Sequence, residues 1–514
     1  MRFIHLAAAA ALVSPAPLFA QDACLVQTGG ALGKAAQWQL SDANPGDFYF
    51  LLFAVTETPT PIFGITLDIP IDLFQFSLDV GAWGFANAAG EAQFTAILPL
   101  DPSFVGEVFR VQAAVGFPLY TTSNLTRLPV SAPETFRASF GQPSIAATLA
   151  GGSILEGDKG ELTFVGGSGA VSTDFDPRLE EFTDNVLPFV APGFTSSTVL
   201  ADGRVLFCGG LDALAGSPTD EAVLYDPVAG TATNLTMNHA RLGHTTTLLD
   251  DGRVFVAGGL ETIGIDLSDP ASLLDINTLL SLANDIQATT EIFDPNTNTF
   301  TPAANLPEKR ALHTATKRGN GNVLVAGGVS VIPFLNVPTV SGTASDYNPN
   351  TNSYGFFPAF MGTARAGHEA LTLADGSVVL VGGLSADFSG AISSGDPADI
   401  VISALTSIER YSPGGFGGSF ANYADLATPR FLCSGLLLDD DSVLVAGGFE
   451  LDLSDPLNPA VGPSTAADVV DGPGSVTQVG DLLEARTLPV LVQLDTGGVL
   501  VVGGLATTAE IYQP

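Results

Sequence analysis

The stretches DGRVFVAGG at 251–259 and DGSVVLVGG at 375–383 decide the fold, because they have five counterparts along the chain. These are GELTFVGG at 160–167, DGRVLFCGG at 202–210, NGNVLVAGG at 320–328, DDSVLVAGG at 440–448 and TGGVLVVGG at 496–504. The repeated pairs are Gly166-Gly167, Gly209-Gly210, Gly258-Gly259, Gly327-Gly328, Gly382-Gly383, Gly447-Gly448 and Gly503-Gly504. From Gly166 to Gly503 is 337 residues over six intervals, about 56 per repeat. Internal similarity at such a period marks an array of supersecondary units that bury their apolar faces against each other.

Each part of the unit has a physical reading. Asp-Gly or Asn-Gly is a tight hairpin turn, since these residues accept positive φ at low cost. The Val- and Leu-rich run after it is continuous rather than alternating, as in a strand covered on both faces. The closing Gly pair lets the chain leave a crowded centre without a Cβ clash. A third strand then ends in aromatic-x-Pro at Phe175-Asp176-Pro177, Tyr225-Asp226-Pro227, Phe293-Asp294-Pro295, Tyr347-Asn348-Pro349, Tyr411-Ser412-Pro413 and Tyr512-Gln513-Pro514. The repeat near 471 carries Asp471-Gly472-Pro473 and lacks the aromatic. Ahead of the hairpin an innermost strand opens with Arg-x-x-His at Arg241/His244, Arg310/His313 and Arg365/His368, with degenerate copies at Arg430/Cys433 and Arg486/Pro489.

Together, Arg-x-x-His, Asp-Gly, Gly-Gly and aromatic-x-Pro resemble the kelch repeat of secreted bacterial proteins, related to the central domain of galactose oxidase, over residues 136–514. The period is close to the roughly 50 residues of kelch arrays. The resemblance implies an all-β protein, a ring of four-stranded antiparallel blades that leaves only short, protected edges. Seven Gly pairs favour seven blades, and six remain possible if the first repeat supplies only closing strands. The final repeat provides three strands, so the fourth is expected from a segment within 136–158.

Residues 21–135 lack the repeat. Their apolar or alternating runs, Phe48 to Val55, Ala92 to Leu98 and Glu107 to Val115, are separated by Pro, Gly and Asp turns and read as a small β-sandwich. Residues 1–20 combine a basic start, a short apolar run and a small residue at Ala20, the order of a signal peptide. The expected location is outside the cytoplasm: secreted, at the cell surface or periplasmic. No apolar run approaches the roughly 20 residues of a membrane helix.

Acidic residues number 54 against 18 basic ones, a formal charge of -36. That balance repels a phosphate backbone and removes the electrostatic term on which nucleic-acid binding depends. Three cysteines, Cys24, Cys208 and Cys433, are too few and scattered for a disulfide framework, and Cys208 in its apolar strand reads as a small core residue.

The candidate binding surface is the face reached by the long excursions after the Gly pairs, Leu260 to Thr290, Leu384 to Ser407 and Phe449 to Ala467. Two of them repeat Asp-Leu-Ser-Asp-Pro, placing Asp266, Asp269, Asp452 and Asp455 as candidate calcium ligands. The competing and preferred reading is a solvated loop in which Ser-Asp-Pro caps a short helix at Ser272 to Ala283, with no cofactor. Arg241, Arg310, Arg365, Arg430 and Arg486 hold one equivalent position and could form a ring that takes a carboxylate or a sulfated sugar. Against this stands a purely structural role, each arginine pairing with a neighbouring blade and fastening the ring.

Enzymes on the resembled architecture include copper radical oxidases like galactose oxidase and isomerases acting on sialic acid. The copper site of the former requires two Tyr, two His and a Cys bonded to one Tyr. After residue 20 this chain has four histidines, His239, His244, His313 and His368, three of them at repeat positions. Copper chemistry is therefore not expected. No Gly-x-Ser-x-Gly elbow, zinc Cys pair or phosphate loop is present. The reading is a binding or scaffold protein recognising a polysaccharide or protein, with an enzyme anchoring an anionic sugar on the arginines as the alternative.

Overall fold

The computed structural model describes residues 24–28, 35–54, 60–62, 65–67, 82–97, 105, 108–115, 121–122, 126–129, 134–139, 153–156, 161–165, 169–212, 216–262, 283–332, 337–394, 399–452, 460–504, 506 and 508–514. The chain divides into two compact units, Met1–Ser131 and Ala132–Pro514. The expected leader falls outside the described residues, as does the pair Gly166-Gly167.

In the first unit, Ala35–Ser41 pairs with both Cys24–Thr28 and Ala92–Ile97 in a three-stranded antiparallel sheet. A second sheet is centred on Phe48–Ala54 and Val108–Val115. Trp38 and Leu40 of one sheet share a core with Leu51, Phe53, Val111 and Ala113 of the other, so the two sheets pack face to face.

The second unit is a β-propeller. Among the described residues it holds seven sheets built on a four-strand antiparallel path. Their first strands are Ser153–Glu156, Ser196–Val199, Thr245–Leu248, Thr314–Lys317, Glu369–Thr372, Ser434–Leu437 and Val490–Gln493, numbered below as blades 1 to 7. These strands lie side by side in that order. Seven apolar clusters follow, one at each junction. Phe255 and Ile292 of blade 3 meet Val325 and Tyr347 of blade 4, for example, and Phe164 and Phe175 of blade 1 meet Leu500 and Ile511 of blade 7, which closes the ring.

The unbroken apolar character of the second strands has its explanation here. In Val443–Ala446, Val443 and Val445 face blade 5 while Leu444 and Ala446 face blade 7, so all four side chains are buried. The outer strand of blade 7 is Thr135–Ala138, which pairs with Glu510–Gln513 and seats Phe136 against Tyr512 at 5.1 Å between ring centroids. The closing strand thus comes from before the first repeat, starting one residue earlier than expected. The tight turns have positive φ at Gly203, Gly252, Gly321, Gly376 and Gly497, and in blade 6 Asp441 takes that conformation at φ 68°.

The excursions after the Gly pairs are built structures over blades 4 to 6. Val329–Ile332 pairs with Val337–Val340, Leu384–Asp387 with Val401–Ala404, and Phe449–Asp452 with Ala460–Pro463. Successive hairpins lie against one another. A short helix, Ser389–Ser394, interrupts the second. The helix expected at Ser272 to Ala283 falls almost wholly outside the described residues.

Candidate functional site

The arginines sit where the chain crosses from one blade to the next, and all five are fully buried. Each belongs to two blades at once. The main-chain carbonyl of Arg241 accepts from the Gly210 amide of blade 2, while its guanidinium donates to the Gly258 carbonyl of blade 3 at 2.6 Å and to the Glu291 carboxylate at 2.9 Å. The pattern repeats for Arg310 between Gly259 and Gly327, for Arg365 between Gly328 and Gly382, and for Arg486 between Gly448 and Gly503. Arg430 accepts from Gly383 and donates to Ala466 and Asp468.

The carboxylate partners complete the link. Glu291, Glu409, Asp468 and Glu510 occupy matching positions on the third strands, opposite Val256, Leu380, Val445 and Val501. Glu409 also accepts from the amides of Gly362 and Thr363, and Glu510 from those of Leu483 and Glu484, all on the approach from the preceding blade. In blade 4 that position is Ser345, and Glu308, two residues before Arg310, supplies the carboxylate at 2.9 Å.

For four of the five arginines the fastening carboxylate lies in the blade the arginine enters, and for Arg310 it is Glu308 on the approach; the link to the neighbouring blade runs through the arginine's main-chain carbonyl. With all five guanidiniums buried and paired, the anion-binding ring, one of the two roles the sequence left open, has no accessible donor, and the fastening role fits the contacts. The partners went unrecognised in the sequence although Glu-x-aromatic recurs at Glu291-Ile-Phe293, Glu409-Arg-Tyr411 and Glu510-Ile-Tyr512.

Next to the arginines runs a tier of hydroxyl–imidazole contacts between first strands. Thr245 Oγ1 lies 3.1 Å from His313 Nε2, and Thr314 Oγ1 lies 2.9 Å from His368 Nε2. Burial pushes the imidazoles of His244 and His313 down to about 3, and His368 well below its ordinary value, so all three are neutral at physiological pH. Burial also raises Cys433 to about 12 and holds Cys208 protonated, which leaves two inert thiols.

At the blade 5 to 6 junction both members of the tier change. Glu369 stands where Thr245 and Thr314 stand, and Cys433 replaces the histidine. Glu369 borders a cavity of about 240 Å³ between the first strands of blades 2 to 5, lined also by Ser196, Thr245, Thr246, Thr314 and Thr316.

Asp266, Asp269 and Asp455 lie outside the described residues, while Asp452 ends a hairpin strand opposite Ala460. Among the described residues, no group of three or more His, Cys, Asp or Glu is placed to hold a metal ion, and no helix is long and apolar enough to cross a membrane.

No family model matches the chain, and no curated protein matches it. Among solved structures, one described as the structure of YjhT is similar at 17% identity, covering 64% of this chain and 97% of its own, with a TM-score of 0.45.

Proposed function

We propose that this chain is an exported kelch-type binding or scaffold protein that recognises a polysaccharide or another protein through the hairpin-bearing face of its propeller. The observation that carries this reading is the division of labour between two levels of the molecule. The five arginines are buried at the blade crossings and paired with carboxylates there, and His313 and His368 meet threonine hydroxyls. Above blades 4 to 6 the excursions form three hairpins in mutual contact, a surface added to the propeller that its closure does not require. Long insertions on a rigid scaffold are where binding residues concentrate. An anionic-sugar enzyme anchored on the arginines would need exposed guanidiniums, and these are fully buried.

The test is to shorten the central hairpin. Leu384 and Ala404 are paired, so Asn-Gly in place of residues 385–403 joins them by a two-residue turn. The purified chain is screened against polysaccharide arrays and extracellular protein fractions. Binding that falls at least ten-fold in the shortened variant, with melting unchanged within a few degrees, supports the reading. Undiminished binding, or none to any polysaccharide or protein, overturns it.

A further inference from the structure

The cavity beside Glu369 is lined by the first strands and not by the hairpins. Its lining is polar and nearly all neutral: the hydroxyls of Ser196, Thr245, Thr246, Thr314 and Thr316, and the uncharged imidazoles of His244 and His313. Most of these groups are satisfied within the wall. Ser196 Oγ and Thr246 Oγ1 are 2.8 Å apart, and Thr245 and Thr314 meet His313 and His368.

Glu369 and His244 are the exceptions. Neither ring nitrogen of His244 has a hydrogen-bond partner, and among the described residues the Glu369 carboxylate has the Ala370 amide beside it and no ion-pair partner. The nearby guanidinium of Arg365 is bonded to Glu409. The histidine that faces the equivalent hydroxyl in the two preceding junctions is here Cys433, which cannot neutralise a carboxylate. Gly435 beside it leaves room, since a Cβ there would fall 3.2 Å from Glu369 Cγ and 2.6 Å from Leu371 Cδ1. Partial burial pushes the Glu369 carboxyl up to about 7. A partly desolvated carboxylate with no ion-pair partner in the protein is favourably neutralised by a cation from outside.

We propose that this cavity is a binding site for a small hydroxylated ammonium compound, of the amino-sugar class, with Glu369 as counter-ion to the ammonium and the threonine hydroxyls as partners to the ring hydroxyls. Size supports one ring: the volume lies below the roughly 300–1,000 Å³ of drug-sized pockets. A hard divalent cation fits poorly, since calcium takes six to eight oxygens and a single carboxylate leaves its charge uncompensated. The formal charge of -36 favours a cationic ligand over an anionic one.

The experiment is calorimetric titration of the full chain with glucosamine and with glucose, which differs by lacking the charge, at about pH 8, where both Glu369 and part of the amine are ionised. The expected result is saturable glucosamine binding that is at least ten-fold tighter than glucose binding and is lost ten-fold or more in E369Q. E369T, which reinstates the residue of the preceding blades, should behave like E369Q and guards against a folding artefact of the amide. Equal affinity for the two sugars, glucosamine binding unchanged in both variants, or protection of the fold by calcium or potassium with none by glucosamine overturns the assignment. Binding lost on shortening the hairpin would bear on the face above and not on this cavity.

Discussion

Blades 3 to 7 and the start of the ring solve the same joining problem with different chemistry. Entering blades 3 to 7, an arginine bonds back to the preceding blade's Gly pair and a carboxylate neutralises it. Entering blade 2, the corresponding positions are Pro192, Thr195 and, on the third strand, Val223. No charge is buried there. Phe189 packs instead at 5.3 Å from Phe207 and 5.4 Å from Tyr225, within a cluster that includes Leu187 and Val205. Among the described residues, apolar packing and a hydrogen bond from Ser153 Oγ to Ser197 Oγ at 2.7 Å join these two blades without an arginine, so the arginine is not a necessity of propeller geometry. What it adds is direction, because five donors in a planar fork fix where the incoming strand must sit.

The sharpest way to break the comparison is to remove one arginine. R365A strands Glu409 without its counter-ion, leaves the Gly382 carbonyl without its guanidinium donor and leaves the Ser407 carbonyl with the Gly382 amide alone. Breaking a buried pair in this way costs about 3–5 kcal/mol, read as a fall in the urea midpoint. The apolar double change R365M/E409L should recover much of that loss, because it removes both desolvated charges together. A single variant within 1 kcal/mol of the parent would show that the arginines fasten nothing.

On the apolar side F189A empties the centre of the blade 1 to 2 junction. Since Phe189 is buried, the loss should be about 3 kcal/mol, the lower end for Phe-to-Ala changes in cores. Urea titrations of both variants measure the two losses side by side.

The joints also differ in their titration. His244, His313 and His368 have folded values far below the ordinary 6.5, whereas the blade 2 crossing carries the non-titrating Thr195. Between about pH 3 and 6.5 the unfolded chain binds the protons these imidazoles refuse. Stability therefore rises with pH across that window and is lost on acidification. Each imidazole contributes about 1.4 kcal/mol per pH unit. Glu369, raised above its ordinary 4.5, works in the opposite sense between about 4.5 and 7 and offsets one of the three. H313Q should lower the slope by about one proton's worth, and an unchanged slope would mean that His313 already titrates normally in the fold.

How much of this was legible in the chain follows from sequence distance. The Gly pairs, tight turns and apolar runs declare themselves within nine residues, and the fold followed from them. The arginines were visible as a repeat, but whether they are exposed depends on carboxylates such as Glu409, which is 44 residues from Arg365. The hydroxyl–imidazole tier was invisible, because Thr245 and His313 are 68 residues apart and neither is unusual in its own strand. Glu369 looked like any strand residue. Only the alignment of first strands around the channel shows that it stands in a row of hydroxyls.

The smallest expected effect concerns that same residue and carries the least familiar sign. Removing a carboxylate that faces neutral groups should stabilise the protein, provided the carboxylate is ionised. Above about pH 7 the folded state holds Glu369 charged in its enclosure, and E369Q relieves that cost. Below about pH 4.5 both folded and unfolded chains hold the acid protonated, and the variant gains nothing. The difference should be on the order of 1–2 kcal/mol at pH 8, held down because the partly exposed carboxylate keeps some of its water. Thermal melts of parent and variant at pH 8 and pH 4.5 measure it. A variant less stable at pH 8 would reveal that Glu369 has a partner in the wall, and this junction would then be as self-contained as the two before it.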